Sequence, residues 1–314
     1  MENNKTAPDF KKESFPGCLK PGFKPFDPIA LARATEKVVC RGNKRLYSRF
    51  SSTINYQKGI ATGYAVGCCL RCIYCWSSET RDCLVKTSSF FSPQEVFEKL
   101  EDIAKRKHLD QVRVSDAEAT IGRMHLLQLL ELVERSTIKR FILETNGILL
   151  GYDRSYVRSL SQFRKVRVRL SLKAGTADGF TSKTGAVPES FELPFQAIRN
   201  LRAEGIKFWV AAMSADPQFM TPLERVSLIG KLAEIDPALV LNLEEEMVVL
   251  FPETLKRLKA SGWDFSSKQL SAFQKIPGLR RFLQISYQPI SSLAARKISR
   301  GFTVKAIREL FHGI

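Results

Sequence analysis

Lys165–Lys173 alternates without a break: Val166, Val168, Leu170 and Leu172 are apolar, while Arg167, Arg169, Ser171 and Lys173 are polar. A period of two predicts a strand with one apolar and one polar face. Shorter apolar segments at 59–66, 112–115, 140–145 and 206–213 read as further strands, each followed by residues with helical spacing. Helices are predicted over 93–107, 124–134, 154–160, 188–204, 222–234 and 252–260. Two of them open on strong start signals. Ser92-Pro93-Gln94-Glu95 and Thr221-Pro222-Leu223-Glu224 each combine an N-cap hydroxyl, a proline at the first helical position and a glutamate three residues on. Asn146-Gly147 marks a turn after the 140–145 strand, and two more strands are predicted at 240–250 and 282–287. Repeated strand–helix units with short connections predict parallel strands and right-handed crossovers. The fold class is therefore α/β, a partial or full (β/α) barrel of parallel strands whose chemistry lies at the carboxyl ends of the strands. A doubly wound open sheet is the alternative.

The polar halves of these strands refine the picture. Arg113 and Ser115 share a face, as do Glu144 and Asn146, and Asn242, Glu244 and Glu246. A parallel sheet covered by helices has no water-facing side, so these groups are expected in a polar lumen. Buried charges need partners, and lumen carboxylates are expected to pair with Arg113, Arg167 or Arg169. The alternative is an edge strand with one solvated face. Residues 1–54, proline-rich and basic, read as an extension wrapped round the outside, with one short helix opening at Leu31–Thr35. Residues 55–261 form the barrel core, and 262–314 a C-terminal strand with a basic helical extension, in which 262–277 would loop over the mouth.

Composition adds limits. The chain has 314 residues, 44% of them hydrophobic and 26% charged, as in soluble globular proteins. No apolar run reaches membrane-spanning length, and the first residues lack the apolar segment of a secretory signal, so a cytoplasmic location and no membrane partner are expected. Lys and Arg number 49 against 32 Asp and Glu, a formal charge of +17. That excess attracts polyanions and makes RNA a possible partner. Seven clustered cysteines do not look like a disulfide framework and fit a metal site in a reducing compartment. Of the histidines, His125 lies on a leucine-rich helix and reads as structural, His108 and His312 as surface residues.

Four of the seven cysteines fall within Gly67–Trp76, and three are spaced Cys68-x3-Cys72-x2-Cys75. Thiolates are soft ligands for iron and zinc, and three on one short loop can converge on one metal centre. A structural zinc ion wants a fourth ligand, which Cys69, Cys83 or a residue elsewhere would have to supply. A redox pair made by Cys72 and Cys75 is a further option. An iron–sulfur cluster with one open corner is the third.

With Tyr74 as the aromatic residue just before the last cysteine, this loop resembles the radical S-adenosylmethionine (radical SAM) superfamily, whose signature is CxxxCxxC. The resemblance implies that Cys68, Cys72 and Cys75 hold a [4Fe–4S] cluster whose fourth iron takes S-adenosylmethionine. Reductive cleavage of that molecule would yield a 5′-deoxyadenosyl radical that abstracts hydrogen from a substrate. It continues over residues 59–250. Asp116-Ala117-Glu118-Ala119 occupies the place of the family's GGEP loop, which binds the SAM ammonium, although both glycines and the proline are missing. Glu144-Thr145-Asn146-Gly147 is similar to the ETNG or DTNG of the branch with glycyl-radical activating enzymes and 7-carboxy-7-deazaguanine synthase. Ser171-Leu172-Lys173 matches that branch's DxK position. By that resemblance Tyr74, Asp116, Ala117, Glu118, Thr145, Asn146, Ser171, Lys173, Met213 and Ser214 would contact S-adenosylmethionine: Lys173 the carboxylate, Ser171 the ribose, and Met213-Ser214 the adenine region. No second cysteine set is present, so an external reductant, flavodoxin or ferredoxin, is implied. A protein or peptide substrate is the first expectation and tRNA the second. A non-catalytic iron–sulfur or zinc redox protein is the alternative of another class.

Overall fold

A computed structural model describes residues 23–263, apart from 55, 57, 84 and 217. Cys18, His312, the strand expected at 282–287 and the basic tail lie outside the described residues. Helix α1 (Pro28–Val39) is capped by the Asp27 carboxylate, which accepts the Ile29 N–H. It runs into a two-residue strand β1 (Cys40–Arg41) and the long β2 (Lys44–Thr53), which turns back antiparallel to β3 (Ile60–Ala65). The segment assigned by sequence to an outer extension thus contributes β2, a strand of the main sheet. Its pattern hid it: Arg45, Leu46 and Tyr47 are consecutive and all buried, and the register then slips between Tyr47 and Arg49. A bulge of this kind erases period-two alternation.

After the short α2 (Ser78–Arg81) and β4 (Ser89–Phe91), which pairs with β2, the strand–helix repeat follows. It comprises α3 (Pro93–Arg106), β5 (Gln111–Ser115), α4 (Arg123–Arg135), β6 (Arg140–Thr145), α5 (Ile148–Tyr152), α6 (Arg154–Leu160) and β7 (Val166–Leu172). Then come α7 (Ala177–Thr184), α8 (Leu193–Ala203), β8 (Phe208–Ala212) and α9 (Pro222–Ile235). The described part closes with α10 (Pro237–Leu241), β9 (Glu244–Glu245) and α11 (Pro252–Ala260). The capping box at Ser92 and Glu95 forms as the sequence requires, and Thr221 caps α9 by accepting the Glu224 N–H.

Strands β3, β5, β6, β7, β8 and β9 lie parallel and in chain order. A doubly wound sheet reverses its strand order at a switch point; here no reversal occurs, and the fold is α/β with a partial barrel. Two elements differ from the sequence pattern. The strand expected at 240–250 shrinks to Glu244–Glu245, because Asp236 and Pro237 start a helix: the Asp236 side chain accepts from Ala238 N. The helix expected over 188–204 is a 3₁₀ turn at Pro188–Glu192 followed by α8, with Pro194 in its first turn. Proline lacks the N–H that a continuous helix would need there.

The core lies between sheet and helices, with Phe141, Leu143, Val168 and Leu170 on the apolar faces. The opposite faces meet in a polar lumen. Arg113 Nη1 lies 2.6 Å from Glu144 Oε1, and Arg169 Nη2 lies 2.7 Å from Glu244 and 2.6 Å from Glu246. Arg167 instead spends its guanidinium on the carbonyls of Arg164 and Val166, below the lumen. His125 is buried, bonded to the Tyr47 hydroxyl at 2.9 Å and the Asn43 carbonyl at 2.7 Å. Among the described residues, no helix is long and apolar enough to cross a membrane.

Candidate functional site

A cavity of about 280 Å³ opens at the carboxyl ends of the parallel strands. Its first wall is the loop after β3. Gly67 starts that loop at φ +93°, where a Cβ would meet Thr35 at 2.6 Å and Val39 at 2.9 Å, so no side chain fits. The loop is then fixed by its backbone: Arg71 N donates to Thr184 O and Ile73 N to Lys183 O, both at 2.9 Å, and Cys75 N closes a turn on Cys72 O. Lys183 is itself held by a buried ion pair with Glu224 at 2.7 Å. In this frame Cys68, Cys72 and Cys75 all line the cavity, with Tyr74 between them packed edge-on against Phe219.

Thiol chemistry differs along the trio. Burial pushes the Cys72 thiol up to about 12. A hydrogen bond from Cys69 lowers Cys68, and the same bond raises Cys69. Cys69 does not reach the cavity; its sulfur accepts from the Asn146 amide at 3.3 Å. Cys83 also stays outside, raised to about 11 by burial. Among the described residues, no three His, Cys, Asp or Glu side chains gather closely enough to hold one metal ion. The three thiols share one cavity, and soft donors on one short loop suit an iron or zinc centre.

The loop after β5 forms the second wall. Asp116 adopts φ +76°, a left-handed conformation at the position of a family glycine. Its carbonyl accepts the Ser77 hydroxyl at 2.6 Å, and that hydroxyl lies 3.5 Å from the Cys75 sulfur. Its carboxylate is buried, with Oδ1 unpartnered and Oδ2 3.9 Å from Arg49, and burial raises it to about 6. Ala117 lines the cavity without positive φ. Glu118 also lines it, but its oxygens already accept four bonds: Thr120 N, Thr120 Oγ1 and Thr145 Oγ1 on Oε1, and Asn146 N on Oε2. Its carboxylate ties the ends of β5 and β6 together.

Thr145 and Asn146 at the end of β6, and Ser171 and Lys173 at the end of β7, line the third side. Asn146 Oδ1 accepts the Ile148 N–H and starts α5, while its amide faces the sulfurs of Cys68 and Cys69. Lys173 donates to Ser171 Oγ at 2.6 Å. Met213, after β8, completes the wall. Ser214 does not: its hydroxyl turns away to the Glu245 carboxylate at 2.9 Å, part of an ion pair with Arg225.

Sequence reasoning passed over Ser77, Glu144, Arg169 and Glu246 as site residues, although all four line the cavity. The alternation along β6 and β7 already placed Glu144 and Arg169 on the lumen face. Nothing local marked Ser77. Burial opposes ionisation of Glu144, but Arg113, Arg169 and the hydroxyls of Tyr56 and Ser115 outweigh it and bring it down to about 2.

Residues 64–215 match the model of the radical SAM superfamily. No curated protein matches the chain in sequence. Among solved structures, it is similar to Streptococcus suis SuiB bound to its precursor peptide SuiA. The TM-score is 0.51 at 16% identity, over 78% of this chain and 49% of that one. It is also similar to native anSMEcpe with bound AdoMet, with a TM-score of 0.44 at 18% identity, over 72% of this chain and 66% of that one. The chain spans about half the length of SuiB, and the likeness is one of fold.

Proposed function

We propose, on the match of residues 64–215 to the model of the radical SAM superfamily, that this chain is an enzyme that cleaves S-adenosylmethionine reductively to act on a protein or peptide substrate. One observation carries the reading: the three thiols of Cys68, Cys72 and Cys75 and the polar ends of β5, β6 and β7 face one open cavity. A [4Fe–4S] cluster held by these cysteines would supply the electron that breaks the carbon–sulfur bond of the sulfonium; that chemistry belongs to the cofactor. The protein's contribution is placement. Lys173 offers an ammonium to a carboxylate, with Ser171 Oγ as its present partner. The carbonyls and the Asp116 carboxylate of the loop after β5 suit an ammonium group. Glu118 keeps that loop and Asn146 in fixed relation. Tyr74, packed on Phe219, and Met213 exclude water from the thiol side.

An external one-electron donor, a flavodoxin or ferredoxin, fits a chain with a single cysteine triad. The peptide reading draws on SuiB, whose solved structure holds a precursor peptide, and on a cavity open at the strand ends. Anaerobic reconstitution should give about four irons per chain, and dithionite with S-adenosylmethionine should release 5′-deoxyadenosine. A chain carrying a full cluster that releases none would refute the proposal.

A further inference from the structure

The cysteine loop turns its thiols toward the cavity and its carbonyls into the protein. Each carbonyl of the trio meets a guanidinium. Arg71 Nη1 donates to Cys68 O at 2.8 Å and to Leu70 O at 3.0 Å. Arg81 Nη1 donates to Cys72 O at 2.6 Å. Arg257 donates through Nη2 to Cys75 O and through Nη1 to Ser78 Oγ at 2.5 Å. The three arginines come from three places: the loop itself, α2, and α11, which lies beyond residues 64–215.

Their charge is only partly balanced. Arg71 Nε lies 3.0 Å from Asp82 Oδ1, and Arg81 grips the same carboxylate at 2.8 and 2.5 Å. The side chains of Arg71 and Arg81 are 9% and 5% exposed. Among the described residues, Arg257 has no carboxylate within ion-pair distance. Arg71 and Arg81 both pair with Asp82, while Arg257 feels Asp82 and Glu253 only from beyond ion-pair distance. Carbonyls can be held by neutral donors, and burying unbalanced guanidinium is costly. Such an excess of fixed positive charge suits a neighbour that is itself negative. A cluster bound by three thiolates is anionic and gains a further negative charge on reduction.

We propose that Arg71, Arg81 and Arg257 are positioning residues that raise the reduction potential of the cluster, with one fixed cation on the carbonyl of each cysteine ligand and α11 supplying the last. This rests on the function proposed above. A nearby cation lowers the energy of the reduced, more negative form more than that of the oxidised form. Arg257 has the largest expected effect, because among the described residues no carboxylate lies within ion-pair distance of it, and Asp82 and Glu253 act on it only from farther away. Docking of α11 thereby becomes part of the electron-accepting unit.

The test uses the full chain, reconstituted without oxygen, as wild type, Arg257→Gln and Arg257→Lys. Iron content and an electron-paramagnetic-resonance redox titration are the readouts. Arg257→Gln should keep its iron while the reduced-to-oxidised ratio at a fixed potential falls by about tenfold, equivalent to about 59 mV for one electron. Arg257→Lys, which keeps the charge, should stay within about threefold of wild type. An unchanged potential in Arg257→Gln, or an equal fall in both variants, overturns the proposal. If Arg257→Gln takes up no iron, Arg257→Lys decides: uptake at the wild-type potential supports a charge role, and failure in both overturns it. A wild-type chain that binds no cluster would instead defeat the proposed function itself.

Discussion

In the lumen, Arg113 meets Glu144 on the neighbouring strand β6, Arg169 reaches Glu244 in β9 and Glu246 just after it, and Glu144 also accepts from Tyr56 and Ser115. At the cavity mouth a few residues away, Asp116 keeps an unpartnered carboxylate oxygen and a left-handed backbone, and Lys173 has only Ser171 Oγ to bond among the described residues. Both regions are built from the ends and faces of the same strands. A saturated polar network fixes geometry, whereas buried groups short of partners mark where a ligand would complete the set. The lumen is thus the rigid support, and the mouth is the part that waits for something to bind.

The largest effect should come from the thiols. Cys72→Ala should lose bound iron and release of 5′-deoxyadenosine altogether, whereas Cys69→Ser, one residue from Cys68 but outside the cavity, should retain iron. Iron analysis after anaerobic reconstitution checks both. Equal loss in the two variants would erase the division between cavity and support.

Breaking the support should unfold the chain rather than disable it selectively. Arg113→Met leaves Glu144 charged and buried, and should destabilise by about 3–5 kcal/mol. Adding Glu144→Gln should recover part of that loss, as measured by denaturant unfolding. Additive losses in the double variant would show that the two side chains are not coupled.

Titration sharpens the same point. Glu144 is held at about 2 against an ordinary value of 4.5, a folded value below the unfolded one. Its contribution is therefore fully present above pH 4.5 and drains away as pH falls toward 2, in total about 3 kcal/mol. Unfolding measured across that window should show a steeper acid loss in wild type than in Glu144→Gln. Parallel curves would sink the assignment.

The smallest effect belongs to the mouth. Asp116→Gly should stabilise the fold by about 1 kcal/mol, since glycine takes positive φ without strain and removes a buried, under-bonded carboxylate. A melting point that drops would mean that Asp116 is part of the support after all.

The strand–helix alternation, the capped starts of α3 and α9, and the spacing of Cys68, Cys72 and Cys75 were all legible in the residues. Each is local: a period of two, a hydroxyl three residues before a glutamate, a short cysteine motif. Strand β2 was not legible, because a bulge between Tyr47 and Arg49 breaks the alternation that announces a strand. Nor was the loss of the 240–250 strand, where the capping of α10 by Asp236 overrode an apolar run. Within the site, the turn of Met213 into the cavity and of Ser214 out of it depended on how β8 meets β9.

By itself, then, the sequence determined the order of elements and the donor chemistry, because both follow from neighbours along the chain. Tertiary structure alone decided which charges are spent. Glu118 is used up by Thr120, Thr145 and Asn146, and Arg257 reaches Cys75 across 182 positions. Contacts of that range are set by how strands stack and helices dock, and no local pattern of residue types encodes them.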